Sequence, residues 1–295
     1  MTYILGIIGN PIGHTLSPLM HNTAIKHLSL NYIYLPFEVK KENLSIAIRG
    51  LKGLEIKGMN ITIPYKEDVI QFLDYLEEEA ELIGAVNTIK LERGSLKGYN
   101  TDGNGFIESL RIDAHEDVRG KNIIIFGAGG AARAIAIKLI VAGAERIIIA
   151  NRTIERGVKL VEYINSKLSH QNSKFLKAIS LKDRLLIQYI READILINTT
   201  PVGMKNNLEP LFPYDYLSDR HMVCDIVYRP LKTRLLQEAS IRGARILNGL
   251  GMLIYQGNLS FKIWTGYEMP IEIVRKILIE ELEKRNSEVR SQKSE

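Results

Sequence analysis

Cysteine is almost absent from the chain, and no apolar run is long enough to cross a membrane. The only cysteine, Cys224, cannot form an internal disulfide, which favours a reduced, cytoplasmic protein. A spanning helix needs about 20 consecutive apolar residues, and no stretch of the sequence approaches that length. The first residues also lack the basic segment of a signal peptide. We therefore expect a cytoplasmic protein with no membrane partner.

A strong excess of one charge is also missing. The 39 basic and 34 acidic residues leave a net charge of +5, and the two signs are mixed along the sequence. A protein that binds nucleic acid usually concentrates its basic residues on one surface, so we expect no nucleic-acid partner. The sequence leaves a monomer and a homodimer equally open.

Segments typical of strands and helices alternate along the 295 residues, which predicts an α/β fold with largely parallel sheets. Strands are expected at 4–8, 32–39 and 59–63, followed by a helix at 66–82. The length suits two domains, with a cleft between them. We predict an N-terminal α/β substrate domain at 1–104, a Rossmann-type nucleotide domain at 105–249, C-terminal helices at 250–284 that pack back on the first domain, and a polar tail at 285–295.

A glycine-rich turn between a strand and a helix is the sharpest single motif. Gly127 permits a tight turn, Gly129 lets the backbone approach a pyrophosphate, and Ala132 allows close packing of helix and strand. The helix N-terminus presents free N–H groups to phosphates. The motif predicts a dinucleotide site formed by Gly127, Ala128, Gly129, Gly130 and Ala131.

The end of the next strand indicates which dinucleotide binds. An enzyme that uses NAD usually carries an acidic residue there for the ribose 2′-hydroxyl, whereas this chain has Asn151-Arg152-Thr153 and then Arg156. Two guanidinium groups suit a 2′-phosphate. We therefore predict NADP, bound by Asn151, Arg152, Thr153 and Arg156. The alternative is that both arginines are solvated residues of the following helix.

Four polar blocks mark the first part of the chain. They are HTLSPLMHN at 14–22, NITIPYK at 60–66, GAVNT at 84–88 and NTDG at 100–103. Hydroxyl and amide groups in such blocks can bind the polar groups of a small molecule, because each buried polar group needs a partner. Lys66 and Asp102 can move the proton that accompanies hydride transfer at a secondary alcohol.

In their order, these blocks resemble the shikimate dehydrogenase family. The resemblance continues through the glycine-rich turn and the segments at 151–153, 198–204, 225–228 and 249–252, and it ends at Gln256. It implies an NADP-dependent interconversion of 3-dehydroshikimate and shikimate, with Lys66 as acid/base and Asp102 as its partner. It also implies substrate contacts by Thr15, Ser17, Thr62, Asn87, Asp102, Tyr228 and Gln256, and a nicotinamide site beside Ile226 and Gly249.

Each block also has a purely structural interpretation. Asp102 could cap a helix, and Lys66 could be a solvated lysine in a first helical turn. His14 and His21 could indicate a metal, but no cluster of acids and histidines with ligand spacing accompanies them. We therefore expect structural or capping roles for both histidines and no metal site.

Alternatives within the family also remain. The family usually has serine at the position of Thr15, which leaves ring selectivity open, so a dehydrogenase of dual quinate and shikimate specificity is the first alternative. A ligand-sensing regulator without enzymatic activity is the second. It would be expected to lack the catalytic pair, and the presence of Lys66 and Asp102 argues against it.

Overall fold

The computed structural model describes residues 2–13, 15–168, 175–204 and 209–291, with side chains to residue 285. The chain divides into two compact units, residues 1–102 with 254–295 and residues 103–253. The divisions lie a few residues from the boundaries predicted at 104 and 249. Among the described residues, no helix is both long enough and apolar enough to cross a membrane.

The first unit contains a mixed sheet. Its strands follow the order β2-β1-β3-β5-β6-β4. Parallel pairing joins β1 to β2 and β3, and β4 to β6, whereas β5 is antiparallel to both of its neighbours. The elements are β1 (Tyr3–Gly9), α1 (Ser17–His27), β2 (Tyr32–Glu38), α2 (Leu44–Gly53), β3 (Gly58–Ile61), β4 (Tyr75–Leu76), α3 (Glu78–Ile83), β5 (Thr88–Glu92) and β6 (Ser95–Tyr99).

The prediction of one helix at 66–82 is wrong. A 3₁₀ turn at Asp68–Phe72, the short strand β4 and the helix α3 occupy that segment instead. Asp74 prevents a continuous helix, because its carboxylate is bound to other parts of the chain. It accepts a hydrogen bond from the backbone N–H of Leu96 at 2.6 Å and another from Lys52 at 2.9 Å. The carboxylate of Glu77 then caps α3 by accepting from the N–H of Glu79.

The second unit is a doubly wound parallel sheet. Its strand order, β12-β11-β10-β7-β8-β9, is the Rossmann order read from the far edge. The order reverses between β7 and β10, and ligands of such sheets bind beyond the carboxyl ends of the strands at that point. The elements are α4 (Asp102–Asp113), β7 (Asn122–Phe126), α5 (Gly130–Val141), β8 (Arg146–Asn151), α6 (Ile154–Lys167), β9 (Phe175–Ser180), α7 (Leu186–Glu192), β10 (Ile195–Asn198), β11 (Met222–Asp225), α8 (Arg234–Ile241) and β12 (Arg245–Leu247).

Two long helices, α9 (Gly249–Thr265) and α10 (Ile271–Ser291), end the chain. From Ile254 onward they belong to the first unit. The indole N–H of Trp264 donates to the carbonyl oxygen of Ile89 in β5 at 2.9 Å, so α9 is hydrogen-bonded to the sheet. Helix α10 continues through the beginning of the segment predicted as a polar tail.

Candidate active site

Lys66 and Asp102 form an ion pair in the first unit. Lys66 Nζ lies 2.6 Å from Asp102 Oδ2, and the two side chains are 19% and 6% exposed. Lys66 follows the turn after β3, and Asp102 is the first residue of α4, where the positive end of the helix dipole favours a carboxylate. A short, largely buried, charge-assisted hydrogen bond therefore orients the ammonium group, while part of the Lys66 side chain remains exposed.

Asn87 connects this pair to other polar side chains. Its Nδ2 donates to Asp102 Oδ1 at 2.9 Å, to Thr101 Oγ1 at 2.8 Å and, more weakly, to Gln256 Oε1 at 3.3 Å. Its Oδ1 accepts from the backbone N–H of Thr101 and from the hydroxyl of Thr88, both at 2.9 Å. These contacts orient the amide and bring Asn87, Asp102 and Gln256 together.

Two hydroxyls lie at the N-terminus of α1. Thr15 Oγ1 is 3.1 Å from Ser17 Oγ and accepts from the backbone N–H of Ser17 at 3.2 Å. The positive end of the α1 dipole favours an anion beside these hydroxyls. Thr62 follows β3, and its methyl group occupies the space that a side chain at Gly9 would need, since a Cβ there would lie 2.4 Å from Thr62 Cγ2.

The predicted dinucleotide turn follows β7 at the reversal of the strand order. Gly127 has φ +115°, and a Cβ there would lie 2.5 Å from Thr199 Oγ1. Both the backbone conformation and the lack of space for a side chain therefore require glycine. By contrast, a Cβ on Gly129 or Gly130 would meet no described atom within 4 Å. The backbone at the N-terminus of α5 is therefore open to a phosphate, and its residues fit a bound pyrophosphate.

Four residues predicted to bind NADP lie in and beside the turn between β8 and α6. Asn151 Nδ2 donates to the carbonyl oxygen of Thr153 at 2.8 Å, which orders the turn. Arg152 and Arg156 are exposed. Neither guanidinium pairs with a carboxylate of another described residue, so both are available to an anionic ligand.

Asn198 and Asp225 organise the neighbouring loops at the ends of β10 and β11. Asn198 Nδ2 donates to Asp225 Oδ1 at 2.9 Å, and Asn198 Oδ1 accepts from the N–H and hydroxyl of Thr200. The carboxylate also accepts from Thr233 Oγ1 at 2.6 Å and from the N–H of Val227 at 3.0 Å. Burial raises the pKa of Asp225 to about 6 despite these hydrogen bonds.

Ile226 and Gly249 lie in direct contact within the second unit. A Cβ on Gly249 would be 2.0 Å from the carbonyl oxygen of Ile226, so only glycine permits this approach. Tyr228 follows in the same loop after β11. The structure thus brings together the two residues predicted to lie beside the nicotinamide.

The two histidines considered as metal ligands are His14 and His21. His14 lies outside the described residues, and within them no group of three or more potential ligands could hold a metal ion. His21 is fully buried, and no described side chain or backbone group hydrogen-bonds to either ring nitrogen. Burial lowers the pKa of His21 to about 3, so the ring is neutral at physiological pH.

Several polar residues of the site were not predicted from the sequence. Thr88, Asn60 and Thr101 lie within the quoted blocks, but no pattern in the sequence assigns them contacts. Ser260 follows Gln256 by one helical turn, and this spacing was its only signal. Tyr34 gave no signal beyond its place in a strand.

Three family models match the chain. Residues 7–89 match the shikimate dehydrogenase substrate binding domain, residues 110–210 match shikimate / quinate 5-dehydrogenase, and residues 249–279 match the shikimate 5′-dehydrogenase C-terminal domain. The matched segments include most of the residues that form the two sites described above.

Individual relatives agree with these models. The shikimate dehydrogenase (NADP(+)) of Methanopyrus kandleri is 47% identical over 283 residues, which cover 95% of this chain and 96% of the relative. A solved shikimate dehydrogenase in complex with NADP⁺ superposes with a TM-score of 0.88 at 45% identity, covering 95% of this chain and 96% of the other. The Listeria monocytogenes shikimate 5-dehydrogenase, solved with shikimate and NAD, superposes with a TM-score of 0.87 at 41% identity. The match covers 94% of this chain and 96% of the other.

Proposed function

This chain belongs to the shikimate dehydrogenase family, and we propose that it catalyses the reversible, NADPH-dependent reduction of 3-dehydroshikimate to shikimate. The reaction is the family's step in aromatic amino-acid (chorismate) biosynthesis. The observation that supports the proposal most directly is the pairing of Lys66 with Asp102 at 2.6 Å, beside the amide of Asn87. A cytoplasmic location and a monomeric or homodimeric state remain predictions.

Lys66 is the acid/base in this proposal. When bound, NADPH supplies the hydride that reduces the ketone carbon. Lys66 donates a proton to the oxygen of that carbon during reduction and accepts it back during oxidation of the alcohol. Asp102 orients the ammonium group and balances its charge through their short hydrogen bond.

The remaining polar residues bind the substrate. We assign the carboxylate to the hydroxyls of Thr15 and Ser17, because they converge at the N-terminus of α1. The ring hydroxyls, which need several donors and acceptors, are assigned to the other polar side chains. These are Thr62, Asn87, Asp102, Tyr228 and Gln256.

The second unit binds NADP. The open backbone at Gly129 and Gly130 suits the pyrophosphate, and the exposed guanidinium groups of Arg152 and Arg156 suit the 2′-phosphate. Gly127, Ala128 and Ala131 would complete the phosphate-binding turn, and Asn151 and Thr153 the turn before α6. Ile226 and Gly249 would lie beside the nicotinamide of the bound cofactor.

One assay tests the proposal. Purified protein is supplied with shikimate or quinate and with NADP⁺ or NAD⁺, and formation of the reduced nicotinamide is followed by its absorbance. We expect rapid reduction of NADP⁺ with shikimate. Comparable rates with quinate would establish the dual-specificity alternative, and binding of shikimate without oxidation in any combination would favour the regulator.

A further inference from the structure

A buried serine of helix α9 hydrogen-bonds to the residues around Asn87. Ser260 Oγ lies 2.7 Å from Thr88 Oγ1 and 3.3 Å from Thr101 Oγ1. Both threonines also contact the Asn87 side chain, Thr101 Oγ1 at 2.8 Å from Nδ2 and Thr88 Oγ1 at 2.9 Å from Oδ1. All four residues belong to the first unit and are at most 3% exposed. Their side chains therefore form a closed ring of hydrogen bonds in the core.

The orientation of the Asn87 amide follows from neighbours whose roles cannot reverse. The backbone N–H of Thr101 can only donate, so the atom that accepts from it at 2.9 Å is Asn87 Oδ1. The ionised carboxylate of Asp102 can only accept, so the atom that donates to it at 2.9 Å is Asn87 Nδ2. The ring must therefore begin at Nδ2 and end at Oδ1.

The hydroxyl hydrogens can then be assigned around the ring. Asn87 Oδ1 carries no hydrogen, so Thr88 must donate to it, and Ser260 must supply the hydrogen of its own contact with Thr88. The carbonyl oxygen of Gln256, at 3.1 Å, is a more distant acceptor for the same Ser260 hydrogen. Thr101 accepts from Asn87 and has one hydrogen left, for which Ser260 Oγ is closer than Gln256 Oε1 at 3.5 Å. Each hydroxyl thus donates once and accepts once.

Asn60 supports this arrangement from outside the ring. Tyr34, whose ring stacks on His21, donates its hydroxyl to Asn60 Oδ1 at 2.7 Å. The Asn60 amide nitrogen therefore faces Ser260 Oγ and Thr88 Oγ1, both at 3.2 Å. A donor beside these two oxygens leaves their own hydrogens to the acceptors of the ring.

We propose that Ser260 is a positioning residue, which closes this ring and so holds the Asn87 amide against Asp102, the carboxylate that orients Lys66. The inference rests on the proposed function. One hydrogen of Asn87 Nδ2 is used in the ring, which commits the other to Asp102 Oδ1. Opening the ring leaves buried hydroxyls without a partner and permits other orientations of the amide. Ser260 thus acts on the reaction through Thr88 and Asn87.

Ser260→Ala tests the proposal, because it removes only the hydroxyl and alanine is the better helix former. We expect kcat for shikimate oxidation to fall by about 3- to 10-fold, the equivalent of one buried hydrogen bond. The solvent deuterium isotope effect on kcat should increase, because proton transfer by Lys66 becomes slower relative to the other steps. The dissociation constant for NADP⁺ should not change, since its predicted site is in the other unit.

The matched control is Thr265→Ala on the same helix. Thr265 Oγ1 donates to the carbonyl oxygen of Phe261 at 2.8 Å, four residues earlier, as Ser260 can donate to that of Gln256. Loss of a hydroxyl of this kind away from the ring should leave kcat and the isotope effect unchanged.

Two substitutions of Thr88 separate the ring from packing. Thr88→Val keeps the shape of the side chain and removes the hydroxyl, whereas Thr88→Ser keeps the hydroxyl and removes a methyl group. The valine variant should lose kcat as Ser260→Ala does, and the serine variant should stay close to the wild type. Ser260→Ala combined with Thr88→Val should lose less than the product of the two single losses, because both open the same ring.

Wild-type kcat and isotope effect in a folded Ser260→Ala enzyme would overturn the proposal, and so would equal losses for Thr88→Ser and Thr88→Val. If Ser260→Ala does not fold, the two Thr88 variants decide the question alone. A wild-type protein that does not oxidise shikimate would refute the proposed function and this inference together. An active wild type with an unaffected Ser260→Ala enzyme would overturn the inference only.

Discussion

At the scale of single residues, the ion pair of Lys66 and Asp102 makes the sharpest prediction. Lys66→Ala removes the group that moves the proton, and turnover should fall by about 10²- to 10⁴-fold, the usual contribution of general acid–base catalysis. NADP⁺ affinity should be retained, because Lys66 belongs to the other unit. Steady-state kinetics and a titration of NADP⁺ measure the two quantities. Near-normal turnover in a folded variant would transfer the acid/base role to another group, with Asp102 the next candidate.

Lys66→Arg provides the matched control for charge. Arginine can keep the ion pair with Asp102, but it stays protonated and cannot give up and regain a proton in each cycle. We therefore expect no recovery of turnover, whereas recovery by arginine would show that Lys66 acts through its charge alone.

Ser17 tests substrate binding rather than chemistry. Its hydroxyl is assigned to a carboxylate remote from the reacting carbon, which is bound equally in the ground state and the transition state. Ser17→Ala should therefore raise KM for shikimate more than it lowers kcat. Initial rates over a range of shikimate concentrations measure both constants, and a loss of kcat with unchanged KM would contradict the assignment.

At the scale of elements, the turn from β8 to α6 should determine cofactor preference. Arg152→Ala removes a charge-assisted contact to the 2′-phosphate, so NADP⁺ binding should weaken by about 10- to 100-fold and NAD⁺ binding much less. Lys159→Ala removes an exposed positive charge from α6 and serves as the control for general electrostatics. Equal losses for both cofactors would disprove the role of Arg152.

Elements that follow from local sequence were the most predictable. Gly127 lies at a positive φ between β7 and α5, and the local glycine motif was enough to predict a turn there. The segment at 66–82 was not predictable in this way, because Asp74 and Glu77 form hydrogen bonds with backbone groups of the strand β6. In that segment, pairing with a distant strand outweighs local helix propensity.

The same distinction applies to the candidate site. Lys66, Asn87 and Asp102 were predicted because each lies in a block that resembles the family. Tyr34 and Ser260 were not, since their contacts join residues far apart in sequence: Asn60 and Ser260 are separated by 200 positions. A hydrogen bond over that separation leaves no periodic pattern in one sequence.

At the scale of the whole molecule, two buried groups give the two units opposite responses to pH. The pKa of His21 falls from 6.5 to about 3 on folding, so the unfolded state binds more protons below pH 6.5 and stability is lost as the pH decreases. The pKa of Asp225 rises from 3.8 to about 6, so its contribution is present below pH 3.8 and is lost as the pH rises through 6. His21 belongs to the first unit and Asp225 to the second.

The contribution of His21 can be isolated with His21→Phe, which keeps a ring stacked on Tyr34 but cannot titrate. Relative to this variant, the wild type should lose about 1.4 kcal/mol of unfolding free energy for each unit by which the pH is lowered between 6.5 and about 3. In this range the unfolded chain carries a proton on His21 that must be released for the chain to fold. The single tryptophan, Trp264, lies 5.4 Å from the His21 ring and reports on the same unit, so its fluorescence during urea unfolding measures the effect. His27→Gln changes an exposed histidine on the same helix and is the matched control. Parallel stability curves for the wild type and His21→Phe would show that His21 takes up a proton without opening the core. In that case the stacked rings of His21 and Tyr34 would not depend on a neutral histidine.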